Sequence, residues 1–274
     1  MEWKEYLRQI NKLYTDAPET AVKECEKITA NVISEYGAGS AEHAGIMNET
    51  AAVLKGLGRL AEAELSFREA LVMFERHYGR ESVSYATCLI NLAGTHRLMG
   101  DTDKAETEFK DSADLIEAVC GRAHILYAAA LNNLSLVYLD KNMLSEAAEF
   151  QEQASEILKG LPEKKRELQS SLSNLGELYR RLGSYERSEE CLLKAISMLE
   201  NELGTNTPHY HETINSLGVL YFTLGEYKKA QEQFLRAAGV AEKMYGREHY
   251  ETKAAYEHAA LAESKMKEQG ESTL

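Results

Sequence analysis

Small and aromatic apolar residues recur along the chain at the spacing of one helical face. Ala63, Phe67 and Ala70 are separated by four and three residues, which places them on the same side of a helix. Comparable residues follow at Ala105, Phe109, Ala147, Ala154, Ala195, Ala230, Phe234 and Ala237. No strand-like alternation of apolar and polar residues competes with this pattern. It therefore predicts an all-α chain of about thirteen helices without a sheet.

The pattern repeats with a period of about 42 residues. The clearest lines are Leu89-Ile-Asn-Leu-Ala, Leu131-Asn-Asn-Leu-Ser, Leu172-Ser-Asn-Leu-Gly and Ile214-Asn-Ser-Leu-Gly. Their second leucines are separated by 42, 41 and 42 residues, at Leu92, Leu134, Leu175 and Leu217. A fixed period indicates one structural unit that occurs several times.

Each repeat continues with an aromatic residue or histidine, and then with glycine or asparagine, at intervals of four residues. These positions hold His96, Tyr138, Tyr179 and Tyr221, followed by Gly100, Asn142, Gly183 and Gly225. Glycine and asparagine commonly end helices, so each unit is predicted to be helix, short turn, helix. Thr207 and Pro208 form a typical helix start, with a capping hydroxyl before a residue of fixed φ.

Two segments carry a resemblance to a known family. Leu175-Gly-Glu-Leu-Tyr-Arg-Arg-Leu-Gly-Ser-Tyr and Leu217-Gly-Val-Leu-Tyr-Phe-Thr-Leu-Gly-Glu-Tyr resemble the tetratricopeptide repeat. The period exceeds the usual one of about 34 residues. That longer period and the Asn-Asn-Leu and Tyr-Gly-Arg-Glu segments resemble the subtype found in kinesin light chains. The resemblance implies a right-handed superhelical solenoid of antiparallel helix pairs.

The repeat boundaries divide the chain into three predicted regions. Residues 1–36 are expected to form a degenerate helix pair. Residues 37–267 are expected to form the tandem repeats, with a last helix that caps the array. Residues 268–274 are expected to be a disordered tail.

Composition and charge disfavour some classes of partner and favour one cellular compartment. Lys and Arg total 31 against 44 Asp and Glu, and the formal charge of −13 disfavours nucleic acid and anionic lipid surfaces. No segment resembles a signal peptide or reaches the roughly 20 apolar residues of a membrane span. The four cysteines are far apart and form no Cys-x-x-Cys pair, which favours a reduced, cytoplasmic chain.

No pattern in the sequence predicts catalysis or a cofactor. Phosphate-binding glycine loops, nucleophile and base sets and the His-Glu-x-x-His motif are all absent from the sequence. Histidines do cluster with Glu, as in His209-Tyr-His211-Glu. They recur at the turn between units, at His43, His124 and His249 as well, so we interpret them as structural and predict no metal site.

A ligand is expected on the surface that the first helices of successive units share. Helical phasing places Asn91, Asn133 and Asn174 at its centre, with Asn48, Asn132 and Asn215 one residue earlier in their repeats. Apolar and cationic residues accompany them at Leu98, Leu136, Arg97, Arg180 and Arg181. The resemblance implies that the central asparagines hold a peptide backbone. The alternatives are asparagines that only bridge adjacent helices and a cationic rim that is an ordinary solvated surface.

These observations favour a non-enzymatic scaffold that binds an extended or helical segment of a protein or peptide in the concave groove. A self-assembling scaffold that forms a homo-oligomer is one alternative. A ligand-sensing regulatory protein is another.

Overall fold

The computed structural model describes residues 5–10 and 18–271, and its regular structure is entirely helical. Residues 5–10 are helical and are called α1. The other helices are α2 (Pro18–Tyr36), α3 (Ala41–Gly56), α4 (Leu60–Tyr78), α5 (Val83–Met99), α6 (Thr102–Cys120), α7 (Ile125–Asp140), α8 (Leu144–Lys159), α9 (Lys165–Arg181), α10 (Tyr185–Met198), α11 (Pro208–Thr223), α12 (Tyr227–Tyr245) and α13 (Tyr250–Glu271). A π-helical turn, Leu199–Leu203, continues α10. The prediction of about thirteen helices and no strand is confirmed for the described residues.

The predicted chain ends are only partly covered by the described residues. α1 and α2 fall in the predicted N-terminal pair, whereas residues 1–4 and 11–17 lie outside the described residues. At the other end α13 continues to Glu271, so the prediction of a disordered tail is wrong for residues 268–271. Lys265 forms an ion pair with Glu268 at 2.7 Å, one turn apart, which supports this last part of the helix. Residues 272–274 lie outside the described residues.

The chain divides into two compact units, Met1–Met143 and Leu144–Leu274. Within each unit, short connections make consecutive helices neighbours that pack against each other. The first helices of successive pairs also contact one another, α3 with α5 and α5 with α7 in unit 1, and α9 with α11 in unit 2. Among the described residues, the second helices α4 and α6 make no comparable contact. The first helices therefore form the inner side of unit 1.

Small residues allow the two helices of a pair to approach closely. A Cβ atom at Gly176 of α9 would lie 2.5 Å from Leu192 Cγ of α10. At Gly218 of α11 it would lie 2.7 Å from the ring of Phe234 of α12. These glycines follow the repeated leucines, so close packing explains their place in the repeat.

The predicted turns between the helices of a pair are confirmed. Gly100, Gly183 and Gly225 have φ values of 89°, 74° and 74°, the left-handed conformation that ends helices. Asn142 occupies the same place in its repeat with φ 59°, and it is the one residue other than glycine with positive φ in the described part of the chain. Asparagine tolerates this conformation better than most residues, which explains the substitution.

In four repeats, a hydrogen bond joins the first helix to the preceding second helix at the aromatic or histidine position. The acceptor is a glutamate every time: His96 to Glu64 at 3.1 Å, Tyr138 to Glu106 at 2.8 Å, Tyr179 to Glu152 at 2.6 Å, and Tyr221 to Glu189 at 2.7 Å. We call this contact the repeat clamp. It ties one helix pair to the next, so the aromatic position has a polar function as well as a packing one.

His96 of α5 contacts two glutamates, where the tyrosines of the repeat clamp contact one. Its side chain is completely buried, and its second ring nitrogen, Nδ1, faces Glu108 of α6. The second contact involves the other second helix of the neighbourhood, because Glu64 belongs to α4 and Glu108 to α6. The buried ring of His96 therefore has a carboxylate partner for each of its two nitrogens.

Substituting Gly176 by Ala should destabilise the protein, by about 1–3 kcal/mol, because the new methyl group overlaps Leu192. Gly239 to Ala is the matched control in α12, since a Cβ there meets nothing within 4 Å. The control should be neutral or stabilising by up to about 1 kcal/mol, as alanine favours helices. Urea unfolding measures both, and equal effects at the two positions would contradict the packing described.

The repeat clamp should make the free energy of unfolding depend on pH in the acid range. Hydrogen bonds from Arg68 and then His96 lower the pKa of Glu64 from its ordinary value of 4.5 to about 2. The contribution of the Glu64 carboxylate to the free energy of unfolding is therefore complete above about pH 4.5. It is lost as the pH falls to about 2. Glu64 to Gln should lower the free energy of unfolding at pH 7 by about 1–2 kcal/mol and flatten its change over that range. Thermal unfolding at a series of pH values measures this change, and Glu257 to Gln, at an exposed position, is the control. Parallel profiles of stability against pH for the wild type and the Glu64 variant would refute the prediction.

Candidate functional site

The inner face of unit 1 is the surface formed by the three first helices α3, α5 and α7. Most of the predicted binding residues lie on these helices: Asn48 on α3, Asn91, Arg97 and Leu98 on α5, and Asn132, Asn133 and Leu136 on α7. The others belong to unit 2, with Asn174, Arg180 and Arg181 on α9 and Asn215 on α11.

Asn48 and Asn91 join α3 to α5. Asn91 Nδ2 donates a hydrogen bond to Asn48 Oδ1 at 3.2 Å, and Asn48 Nδ2 donates to Glu49 Oε1 at 3.0 Å. Asn48 is only 7% exposed, whereas Asn91 is half-buried. This pair therefore bridges adjacent helices, as the alternative interpretation expected. The side-chain oxygen of Asn91 accepts no hydrogen bond from the described residues, so its acceptor capacity is unused.

The asparagine of the next repeat has a different partner. Asn133 Nδ2 donates to the carbonyl oxygen of Ala129 at 2.8 Å, one turn earlier in α7. Its neighbour Asn132 is half-buried on the same helix. Asn133 therefore satisfies its donor within its own helix, so the three central asparagines are equivalent in sequence and different in contacts.

The inner helices of unit 2 are joined by other polar residues. Thr213 of α11 lies 3.0 Å from Ser173 Oγ and 3.3 Å from Gln169 Nε2, both on α9. Gln169 and Thr213 are almost fully buried. Asn174 and Asn215 lie beside this network, and both are half-buried.

Cations accompany the asparagines at the C-terminal ends of α3 and α5. Arg97 Nη1 donates to Asp140 Oδ2 at 2.9 Å and so joins α5 to α7, while Arg97 Nε is buried with no hydrogen-bond acceptor among the described residues. Lys55 is half-buried above the ring of Phe67, 5.8 Å from its centroid. No described carboxylate lies within 4.0 Å of its ammonium group. Burial, and then the charge of Arg97, lower the pKa of Lys55.

The corresponding cations of unit 2 are neutralised or exposed. Arg180 donates to Glu177 at 2.9 and 2.6 Å within α9, and Arg181 is exposed on the same helix. The apolar positions of unit 1 also differ, since Leu98 is 50% exposed and Leu136 is half-buried. The cations with incomplete pairing are therefore those at Lys55 and Arg97.

A cleft of about 290 Å³ opens at the N-terminal ends of α3 and α5. Glu42, Asn48 and Glu49 of α3 line one side. Its apolar walls come from three other helices, with Leu7 on α1, Phe74 and Tyr78 on α4 and Val83 on α5. Sequence reasoning missed this cleft, because helices of different pairs form it and none of the repeat positions marks it.

Two chemical features of the part of the chain that the structure describes concern metal binding and cysteine reactivity. No group of three or more His, Cys, Asp or Glu side chains is arranged to hold a metal ion there. Cys88 is buried, and this burial raises the pKa of its thiol to about 12, so the thiol is protonated at neutral pH. Within the same residues, every helix is too short or too polar to cross a membrane.

Comparison with known proteins places these helix pairs in a class of helical-repeat proteins. The family profile of the tetratricopeptide repeat matches residues 42–118, 84–160 and 167–243, more than half of the chain. The chain belongs to the tetratricopeptide repeat family. The first two matches begin 42 residues apart, in agreement with the predicted period. The comparison with curated proteins gives no match.

Solved structures of the same fold include kinesin-light-chain-like repeats. BtubC (BKLC) from P. vanneervenii is 18% identical, with a TM-score of 0.67 over 90% of this chain and 93% of that one. A Podosopora anserina kinesin light chain candidate with nearly identical TPR-like repeats is 18% identical, with a TM-score of 0.59 over 73% of this chain and 95% of that one. The predicted class of fold is thus confirmed, and kinesin-light-chain-like repeats share it.

A third structure of the same fold contains a bound factor. It is a Rap protein complexed with competence and sporulation factor, 16% identical, with a TM-score of 0.63 over 97% of this chain and 76% of that one. At these identities the likeness concerns the fold.

The hydrogen bond between Asn91 of α5 and Asn48 of α3 should contribute to the free energy of unfolding. The bond that Asn133 makes within α7 should contribute little. Asn91 to Ala leaves the buried oxygen of Asn48 without its donor, so we expect a loss of about 1 kcal/mol. Asn133 to Ala removes a bond within one helix and should change the free energy of unfolding by less than about 0.5 kcal/mol. Urea unfolding of the two variants measures the difference, and a larger loss for Asn133 would contradict these assignments.

Proposed function

We propose that this protein is a non-enzymatic scaffold and that a segment of a protein or peptide partner binds on the inner face of unit 1. The observation that carries the proposal is the half-buried amide of Asn91. It is fixed by Asn48, and its oxygen accepts no hydrogen bond from the described residues. An oriented acceptor on a surface shared by three helices is suited to a main-chain N–H of a ligand, whatever the ligand's sequence.

The spacing of the helices suits an extended segment. Packed helices lie about 8–10 Å apart and an extended chain advances about 3.3 Å per residue, so one contact per helix corresponds to about every third ligand residue. Asn91 on α5 and Asn133 on α7 are placed for such contacts, and Leu136 supplies apolar surface between polar groups. To bind a ligand, the side-chain amide of Asn133 turns away from the carbonyl oxygen of Ala129, to which it donates in this structure.

Two further observations support this function. The Rap protein of the same fold was solved in a complex, so the fold accommodates a bound factor in at least one protein. In this chain, Lys55 and Arg97 keep unused hydrogen-bonding capacity at the end of the same surface, a feature common at binding sites. The four cysteines are free, which fits the reducing cytoplasm that we propose as its compartment.

The experiment is affinity capture from the native cell, followed by titration of the captured partner against variants. Asn133 to Ala should weaken binding by about 1–2 kcal/mol through loss of a hydrogen bond to the ligand. Leu136 to Glu should weaken it through a charge placed on apolar surface. Lys228 to Ala, exposed on α12 of unit 2, is the control and should retain wild-type affinity.

Circular dichroism of each variant separates loss of binding from loss of folding. Wild-type affinity in both the Asn133 and Leu136 variants would show that the partner uses another surface. Light scattering addresses the self-assembling alternative, because a chain that stays monomeric at high concentration does not form a homo-oligomer.

A further inference from the structure

The two ends of the inner face of unit 1 carry opposite charges. Lys55 and Arg97 lie at the C-terminal ends of α3 and α5, whereas Glu42 and Glu49 line the cleft at the N-terminal ends. Glu49 lies six residues before Lys55, about 9 Å along the helix axis. A bound segment therefore meets a negative and a positive region within the length of about three extended residues.

The carboxylate of Glu49 lacks a cation. It is half-buried, and its hydrogen bond comes from the neutral amide of Asn48 at 3.0 Å. No Lys, Arg or His of the described residues lies within 4.0 Å of Glu49 or of Glu42. Burial raises the pKa of Glu49, which reports the cost of holding this group away from water without a positive partner.

The remaining walls of the cleft are apolar and aromatic. Leu7 and Phe74 line it, together with Tyr78 and Val83, which are 53% and 40% exposed although they are large hydrophobic residues. An apolar channel with a carboxylate inside matches a lysine or arginine side chain, whose aliphatic stem packs on hydrophobic groups while its charged end seeks an anion. The aromatic rings add attraction for a cation.

We propose that this cleft binds a basic side chain of the partner segment, with Glu49 as the acceptor of its charged hydrogen bond. The inference rests on the proposed function, because it assigns the chemistry of one ligand position on the same surface. At the other end of the face Arg97 is paired with Asp140, but Lys55 has no carboxylate within 4.0 Å among the described residues and repels a basic residue. The cleft therefore fixes the direction in which the segment binds as well as one feature of its sequence.

The test is selection of random 12-residue peptides displayed on phage against the immobilised full chain. Selected peptides should share a lysine or arginine at one position. In fluorescence anisotropy, Glu49 to Gln should weaken a selected peptide at least tenfold, and Glu49 to Asp should retain most of the affinity. Glu81 to Gln, an exposed carboxylate outside the cleft, is the matched control and should bind like the wild type.

A double-mutant cycle makes the pairing specific. Replacing the basic residue of the peptide by glutamine should weaken binding to the wild type, with little further loss in the Glu49 to Gln variant. This peptide change tests the contact even when a protein variant folds poorly.

The outcomes distinguish the two proposals. Selected peptides without a common basic residue, or with equal affinity for the Glu49 to Gln variant, would overturn the assignment of the cleft and leave the proposed function standing. Failure to select any peptide would count against the proposed function itself.

Discussion

The architecture depends on the close approach of the two helices in each pair. The residue after the repeated leucine is Ala93, Ser135, Gly176 or Gly218, and the two glycines lie at this contact. All four are small. The alanine and the serine are at most 1% exposed, and the contacts of the glycines leave no room for a methyl group. The pairs α9–α10 and α11–α12 of unit 2 therefore meet the same steric limit. The larger partner on the second helix, Phe109 or Phe234 for example, fills the remaining space.

The inner face of unit 1 follows from this packing. Because each pair is tightly joined, the first helices of successive pairs can contact one another, and polar side chains then cross from helix to helix. Asn91 reaches Asn48 and Arg97 reaches Asp140 by such crossings. These bridges fix the side chains that we assign to binding. The cleft and the cationic end are consequences of the same arrangement, since they occupy the two ends of helices that lie side by side.

Periodicity made most of the fold predictable from the sequence. The 42-residue repeat, the helix-ending glycines and even Asn142 at a glycine position depend on local chemistry, and local chemistry can be recognised in a single chain.

The individual contacts of the site could not be predicted in the same way. Asn91 and Asn133 occupy one repeat position, yet Asn91 bonds a neighbouring helix and Asn133 bonds its own. The cleft uses Leu7 and Phe74 from helices distant in sequence, so no spacing pattern could indicate it. The helical part of the tail was missed in part because one of its contacts, between Gln269 and the Gly225 carbonyl at 3.4 Å, is tertiary and leaves no local pattern in the sequence.

The central claim is that a partner segment occupies the inner face of unit 1, and site-specific photo-crosslinking tests it most directly. A photoreactive amino acid at Leu98 of α5 would report on that face, and one at Leu193 of α10 would report on a second helix with nearly the same exposure, 50% against 47%. The account predicts that irradiation in the native cell yields a covalent partner adduct from position 98 and little from position 193. An adduct formed only from position 193 would contradict it.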